Sequence, residues 1–168
     1  MRTITLSRLT REGFSDFGRV IDTSDPEGNG LSVNEGRAER FDYPELFTHG
    51  EAMGDANLSI YKISPSNLPV EIGMLEKHPN SSQLFLPITC GDYIVCVAPE
   101  DEFGLPDLSK LMAFIVTPEI GICYHPTTWH LPLMVLDSPG SFAMMMWNDG
   151  TDDDCIIHNL KEPFTIIK

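Results

Sequence analysis

Basic residues are scarce in this chain. It carries 11 Lys and Arg against 25 Asp and Glu, a formal net charge of -14 over 168 residues. Such a field repels nucleic-acid phosphates and anionic membrane surfaces, so neither is expected as a partner. A small anionic substrate is still allowed, because a few local cations override the global charge; the acidity itself mainly favours solubility. Long apolar runs are missing too. No stretch approaches a membrane span, and the opening "MRTITLSRLTREGF" is alternating and charged, without the continuous apolar segment of a secretory signal. The cysteines, Cys90, Cys96, Cys123 and Cys155, show no CxxC spacing, which excludes a zinc ribbon. Three lie in apolar strand-like runs and the set reads as buried free thiols, which fits a reducing cytoplasm. Also absent are a G-x-S-x-G elbow, a phosphate loop, a dinucleotide fingerprint and an H-E-x-x-H helix. Without repeats, low-complexity tracts or linkers, one domain over residues 1–168 is expected, large enough for one substantial core.

Helix signals are few. "TREGFSDFG" offers Thr10 as an N-cap, Phe14 and Phe17 three apart, and Gly18 as a stop. "DYPELFTHG" reads as a further turn or two, and the polar "DTSDPEGNG" as a long surface loop. From Asn57 onward the pattern changes to short strands punctuated by Pro and Gly. They read "NLSIYKIS", "PVEIGMLEKH", "SQLFLPI", "DYIVCVA", "LMAFIVT", "IGICYH", "TWHLPLMVL", "SFAMMMWN" and "CIIHNL". Short strands at near-regular spacing predict a mainly all-β fold, an antiparallel barrel or sandwich with a short N-terminal helix. "TCGDY", around Gly91, and "NDGTDDD" read as turns, the second with Asp149-Gly150 as a tight hairpin turn and its acids solvated.

Strand alternation gathers polar side chains. In "EKHPNSSQ" an extended backbone puts Glu76 and His78 on one face and sends Lys77 to the other. A hairpin turn through Pro79 and the serines would return Gln83 to the same mouth. "PEIGICYHPTTWHLP" then adds His125, Trp129 and His130, so two distant segments could line one small-molecule pocket. Each residue also has a structural reading. Glu76 and His78 would serve as a solvated pair on an exposed strand, His125 as a turn cap, and Lys77 as a surface lysine. Arg40 would hold a local carboxylate such as Asp42, and Trp129 would pack. His49 and His158 fall outside both segments and read as surface or structural. "MMMW" reads as core.

The pattern E-x-H…Q…G followed by P-x-x-G…H…W-H is similar to the two motifs of the cupin barrel. There Glu76 stands in place of the first histidine, His78 matches the second, Gln83 lies near the glutamate position, and His130 matches the last histidine. More specifically, the chain resembles the ureidoglycolate lyase family along nearly its whole length. The segments that carry the resemblance are "FSDFGRVID", "NEGRAERF", "NLPVEIGMLEKHPNSSQLFLPI", "VAPEDEFGLPDLSKLMAFI" and "GICYHPTTWHLPL". The resemblance implies a cupin-type barrel, a homodimer, and cleavage of ureidoglycolate to glyoxylate and urea in allantoin breakdown. It also implies, for some members, a weakly held divalent metal, often nickel, for which Glu76, His78, Gln83 and His130 are the candidate ligands.

Four positions depart from the family pattern. Leu131 replaces a second histidine after Trp-His, Glu35 interrupts an Asn-Asn-Gly, and Met112 stands where an arginine is common. Trp147-Asn148-Asp149 replaces an acidic–basic pair. A lost cation there weakens carboxylate binding. Elimination from a carbinolamine acid needs a base for the hydroxyl, an acid for the leaving nitrogen, and donors for the carboxylate. A metal chelated by the hydroxyl and carboxylate oxygens would replace the base. His78 and His130 are the expected proton carriers, with Glu76 orienting or sharing the proton. Arg40 is the expected carboxylate clamp. Asn34 and Gln83 would bind the urea amide, and His125 and Trp129 would complete the pocket. Two other classes fit the same barrel: a metal-dependent cupin enzyme acting on another small polar metabolite, and a non-catalytic small-molecule-binding cupin.

Overall fold

A computed structural model of the chain describes residues 2–51, 54–148, 151 and 154–168. The described residues are strand-rich, with one short α-helix, Arg11–Phe14. In chain order the strands are β1 (Arg2–Thr5), β2 (Ser7–Arg8), β3 (Gly18–Asp22), β4 (Leu31–Val33), β5 (Ala38–Arg40), β6 (Asp55–Ile63), β7 (Pro65–Ser66) and β8 (Val70–Lys77). There follow β9 (Gln83–Thr89), β10 (Tyr93–Ala98), β11 (Met112–Val116), β12 (Ile120–Tyr124), β13 (Trp129–His130), β14 (Met134–Leu136), β15 (Gly140–Asn148) and β16 (Ile156–Ile167). No helix of the described residues is long and apolar enough to cross a membrane.

Two sheets enclose the interior. The larger runs β1-β16-β8-β13-β10-β11-β2, with β14 and β7 joined alongside β10; the smaller runs β3-β12-β9-β15-β6. β4 and β5 form a separate two-stranded ribbon. The barrel expected from the strand pattern is therefore present, and most pairings are antiparallel. The pairings of β1 with β16, β2 with β11 and β7 with β14 are parallel. Period-two alternation sorts the apolar side chains. Phe85, Tyr93, Val95, Ile122, Tyr124, Phe142 and Met144 turn inward and meet Phe14 and Phe17 in one cluster. Leu75, Ile94, Cys96 and Trp129 belong to a second cluster with Ile72, Leu131 and Phe164.

Several expectations change on the structure. The N-terminal lead is more strand than helix. Thr10 does cap the helix, accepting a hydrogen bond from Gly13 N at 3.0 Å, but the helix lasts one turn. Gly18 begins β3 rather than ending a helix, and a Cβ there would collide with the Cys123 carbonyl of β12. "DYPELFTHG" forms no helix; its end runs beside β9, with Thr48 N donating to Ser82 Oγ at 3.0 Å. "EKHPNSSQ" is not a hairpin: β8 lies in the larger sheet and β9 in the smaller, so the segment crosses between sheets. The Gly91 turn is likewise a corner, from β9 to β10. Asp149 and Gly150 lie outside the described residues. Asp154, grouped with solvated acids, is buried. All four cysteines are thiols, yet Cys155 is exposed and Cys90 half-buried.

Candidate active site

Glu76, at the end of β8, sits opposite His130 of β13 in the strand register. Both side chains point inward, and His78 follows on the same face just past the strand. Each imidazole is fixed through the same ring atom. His78 Nδ1–H donates to the Asp154 carbonyl at 2.6 Å, and His130 Nδ1–H donates to the Thr128 carbonyl at 2.9 Å. Tyr124 stacks on His130 with ring centroids 4.2 Å apart and planes 16° from parallel. These contacts set one tautomer, with the lone pair of each Nε2 turned into the barrel.

The two lone pairs converge with an acid. His130 Nε2 lies 3.5 Å from Glu76 Oε1, and the His78 and His130 rings are 5.5 Å apart. At that length the acid–imidazole contact is not a hydrogen bond, and His130 Nε2 stays without a partner among the described residues. Two lone pairs and a carboxylate repel one another unless a proton or a cation lies between them. Gln83 Nε2 donates to His78 Nε2 at 3.2 Å, while its buried Oε1 has no partner among the described residues.

Burial pushes the Glu76 carboxyl up, but contact with His130 and the charges of His130 and His78 prevail and hold it below its ordinary value of 4.5. His78 is held below its ordinary 6.5, chiefly by burial and then by His130, against the opposing pull of the Asp154 carbonyl and of Glu76. At neutral pH the site therefore presents an ionised Glu76 and a neutral His78. Glu76, His78 and His130 also offer ligand atoms that all lie within 4.8 Å of one another. Two imidazoles with Nδ1–H anchored on carbonyls, plus one carboxylate, is a donor set that fits a divalent cation. Gln83 lies beside them as an amide, a poor fourth ligand.

Glu76, His78 and Gln83 open into a cavity of about 260 Å³, lined also by Tyr61, Trp147 and Cys155, with His130 buried behind Glu76. Burial, Glu76 and Cys155 all raise the Tyr61 phenol, which stays protonated as a donor. The other expected site residues lie elsewhere. Trp129 packs in the second cluster, its Nε1–H on the Gly104 carbonyl at 3.2 Å, because neighbours on a strand face opposite ways and His130 takes the inward position. His125 is exposed, its backbone N on the Phe17 carbonyl. Arg40 and Asn34 sit on the exposed β4–β5 ribbon, Arg40 paired with Asp42 at 3.0 Å. Lys77 does face away from Glu76 and His78, but it is buried rather than at the surface. Leu131 belongs to the second cluster, and Met112 is exposed on β11.

Sequence reasoning missed Tyr61 and Cys155. Alternation in "NLSIYKIS" marks Tyr61 as sharing a face with Ser59 and Ile63, but nothing local ties that face to Glu76. His49, read as surface or structural, packs tilted against the pocket wall, its ring centroid 4.0 Å from that of Trp147.

Fold and pocket together define a cupin-like barrel with a buried acid–imidazole cluster. The ureidoglycolate lyase family model matches residues 1–167, and the chain belongs to that family of enzymes. A ureidoglycolate lyase of Pseudomonas fluorescens (strain Pf0-1) is 30% identical over 167 residues, covering 99% of this chain and 97% of that protein. One from Pseudomonas paraeruginosa (strain DSM 24068 / PA7) is 31% identical, covering 96% and 93%. Among solved structures, a 3,4-ketoisomerase from Helicobacter canadensis aligns with a TM-score of 0.47 at 11% identity, covering 84% of this chain and 90% of that one. The epimerase RmlC from Legionella pneumophila Philadelphia 1 aligns at 0.47 and 13%, covering 82% and 76%.

Proposed function

We propose that this protein eliminates urea from ureidoglycolate, or from a close carbinolamine acid, and releases glyoxylate. The observation that carries the reading is the clustering of ligand atoms from Glu76, His78 and His130 within 4.8 Å of one another, with Glu76 and His78 lining one cavity, in a chain matched over residues 1–167 by the family. The substrate carbon bears a hydroxyl, a carboxylate and a ureido nitrogen. Neutral His78 accepts the hydroxyl proton as the carbonyl forms. The C–N electrons pass to the ureido nitrogen, which takes the proton that, when bound between His130 Nε2 and the Glu76 carboxylate, relieves their repulsion. One proton is accepted and one donated, so the reaction is balanced. Gln83 Oε1, buried and without a partner among the described residues, would accept from the urea NH₂, and the Tyr61 hydroxyl would donate to an oxygen of the substrate. In this reading the enzyme works in the cytoplasm, in the breakdown of allantoin.

A second form of the same reading rests on the donor set. Glu76, His78 and His130 would hold a divalent ion such as nickel, which supplies Lewis acidity toward substrate oxygens when bound. The test is glyoxylate release from ureidoglycolate by wild type, His78→Ala and His130→Ala, each with and without chelator. Loss of about 100-fold or more in both variants is expected. Turnover within a few-fold of wild type in either would sink the assignment. Sensitivity of the wild type to chelator selects the metal form. Absence of turnover with ligand binding intact would favour a binding protein, and stoichiometric iron with oxygen uptake another cupin chemistry.

A further inference from the structure

One chain builds a pocket without a counter-charge for its substrate. None of the described residues lining the cavity is Lys or Arg, while Glu76 and Asp154 are acids. A carboxylate entering it meets charge of its own sign. Two arginines meanwhile sit idle on the β4–β5 ribbon. Arg40 contacts Asp42 at 3.0 Å, and Arg37 contacts Glu35 at 3.1 Å. These exposed pairs between near neighbours are weak and easily exchanged for another carboxylate.

The ribbon is unfinished as an element. Its register pairs Leu31 with Arg40 and Val33 with Ala38, which puts an apolar strip and Arg40 on one face. Leu31 is 52% exposed, and among the described residues β4 and β5 pair only with each other. A two-stranded ribbon this short is marginal in water without a surface to pack on.

The smaller sheet offers such a surface. Leu58 and Ile60 of β6, opposite Met145 and Ala143 of β15, point away from the interior and are 61% and 55% exposed. Ile88 extends the patch from β9. β6 is the sheet edge and, among the described residues, pairs only with β15. The same two strands carry Tyr61 and Trp147 into the pocket. The ribbon follows β3, the opposite edge of that sheet. In an isologous pair stacked on these faces, with its two-fold along the strands, the β3 edge of each copy lies over the β6 edge of the other.

We propose that a second copy of this chain completes the pocket. Its β4–β5 ribbon packs the Leu31–Val33–Ala38 strip on the exposed Leu58–Ile60 edge and delivers Arg40 to the substrate carboxylate, with Asn34 at the ribbon tip beside it. The role of Arg40 rests on the carboxylate substrate proposed above; the docking of the ribbon does not.

Two experiments test this separately. First, Glu35→Cys at the ribbon tip is treated with a short bismaleimide, with Cys155 at the pocket as the other thiol. A covalent dimer on a denaturing gel is expected, absent from Glu35→Cys/Cys155→Ser. Monomer adducts alone, or a dimer that persists without Cys155, overturns the docking. Second, Arg40→Ala is expected to raise KM for ureidoglycolate about tenfold or more, with a smaller change in kcat. Saturating Arg40→Ala with substrate would hide the defect, so mixing is read below KM. Unfolded, mixed and refolded with His130→Ala, it should regain roughly a quarter of wild-type sites, since half the pairs are mixed and each holds one intact pocket. Activity no greater than the mean of the two separate variants overturns the contribution of Arg40 across the interface. A wild type that releases no glyoxylate refutes the lyase reading, while the cross-link still decides the docking.

Discussion

Gln83 bears on how strongly this site would hold a cation. Its Nε2 lies 3.2 Å from His78 Nε2, beside three groups that already suit a divalent ion. As an amide it brings no charge, and a hard or borderline cation gains little from it. Gln83→Glu would add a carboxylate at the same reach. Nickel affinity, measured by calorimetry, is expected to rise by about tenfold or more. An unchanged affinity would place position 83 outside any ligand sphere. The position was legible in the sequence because a polar residue stood out at the head of an apolar run. Its meeting with His78 was expected as well; the route was not, because the link from His78 to Gln83 crosses between sheets instead of forming a hairpin.

At the scale of elements, the least foreseen feature is the back of β8. Alternation correctly sends Lys77 away from Glu76 and His78, and a lone lysine on a strand then reads as solvent-facing. A distant segment covers it. The Lys77 ammonium pairs with Glu100, donates to the Gly104 carbonyl at 2.9 Å, and lies 4.8 Å from the centroid of the Trp129 ring. Trp129 binds the same carbonyl. The loop between β10 and β11 is thus pinned to the strands that carry Glu76 and His130. Lys77→Ala removes the stem packing, the cation–π contact and the partner of Glu100. About 2 kcal/mol of stability should be lost. Limited proteolysis should cut first between residues 100 and 110. A variant as stable and as protease-resistant as wild type would show that the loop is held by other means.

Across the whole molecule, what was legible follows from what is local. Period-two alternation is a backbone property, so β6, β8 to β12, β15 and the start of β16 could be read directly, whereas β13 and β14 read as one run and the two-residue β7 did not show. The partition of those strands into two sheets depends on long-range pairing, and no turn residue announces it. β1, β2 and β3 were missed because each is short and gains its order from a strand more than 90 residues away. Titration offers a test of the interior as a whole. Burial raises the Cys96 thiol from its ordinary 9.0 to about 12. Burial does the same for Cys123, against the lowering pull of Ser82 and Arg19. The Tyr93 and Tyr124 phenols are raised well above their ordinary 10.0, again by burial. Between the ordinary and raised values the unfolded chain has lost protons that the folded chain keeps, so stability falls as pH rises. This contribution is fully present below pH 9 and is lost progressively above it. Each thiol should cost about 1.4 kcal/mol per pH unit once it ionises in the unfolded chain. Urea denaturation under reducing conditions, at steps from pH 8 to 11, should show a steep alkaline decline. The decline should be shallower in Cys96→Ala/Cys123→Ala, whatever stability that variant loses at neutral pH. Equal slopes would mean that the two thiols are no harder to ionise in the folded chain than in the unfolded one.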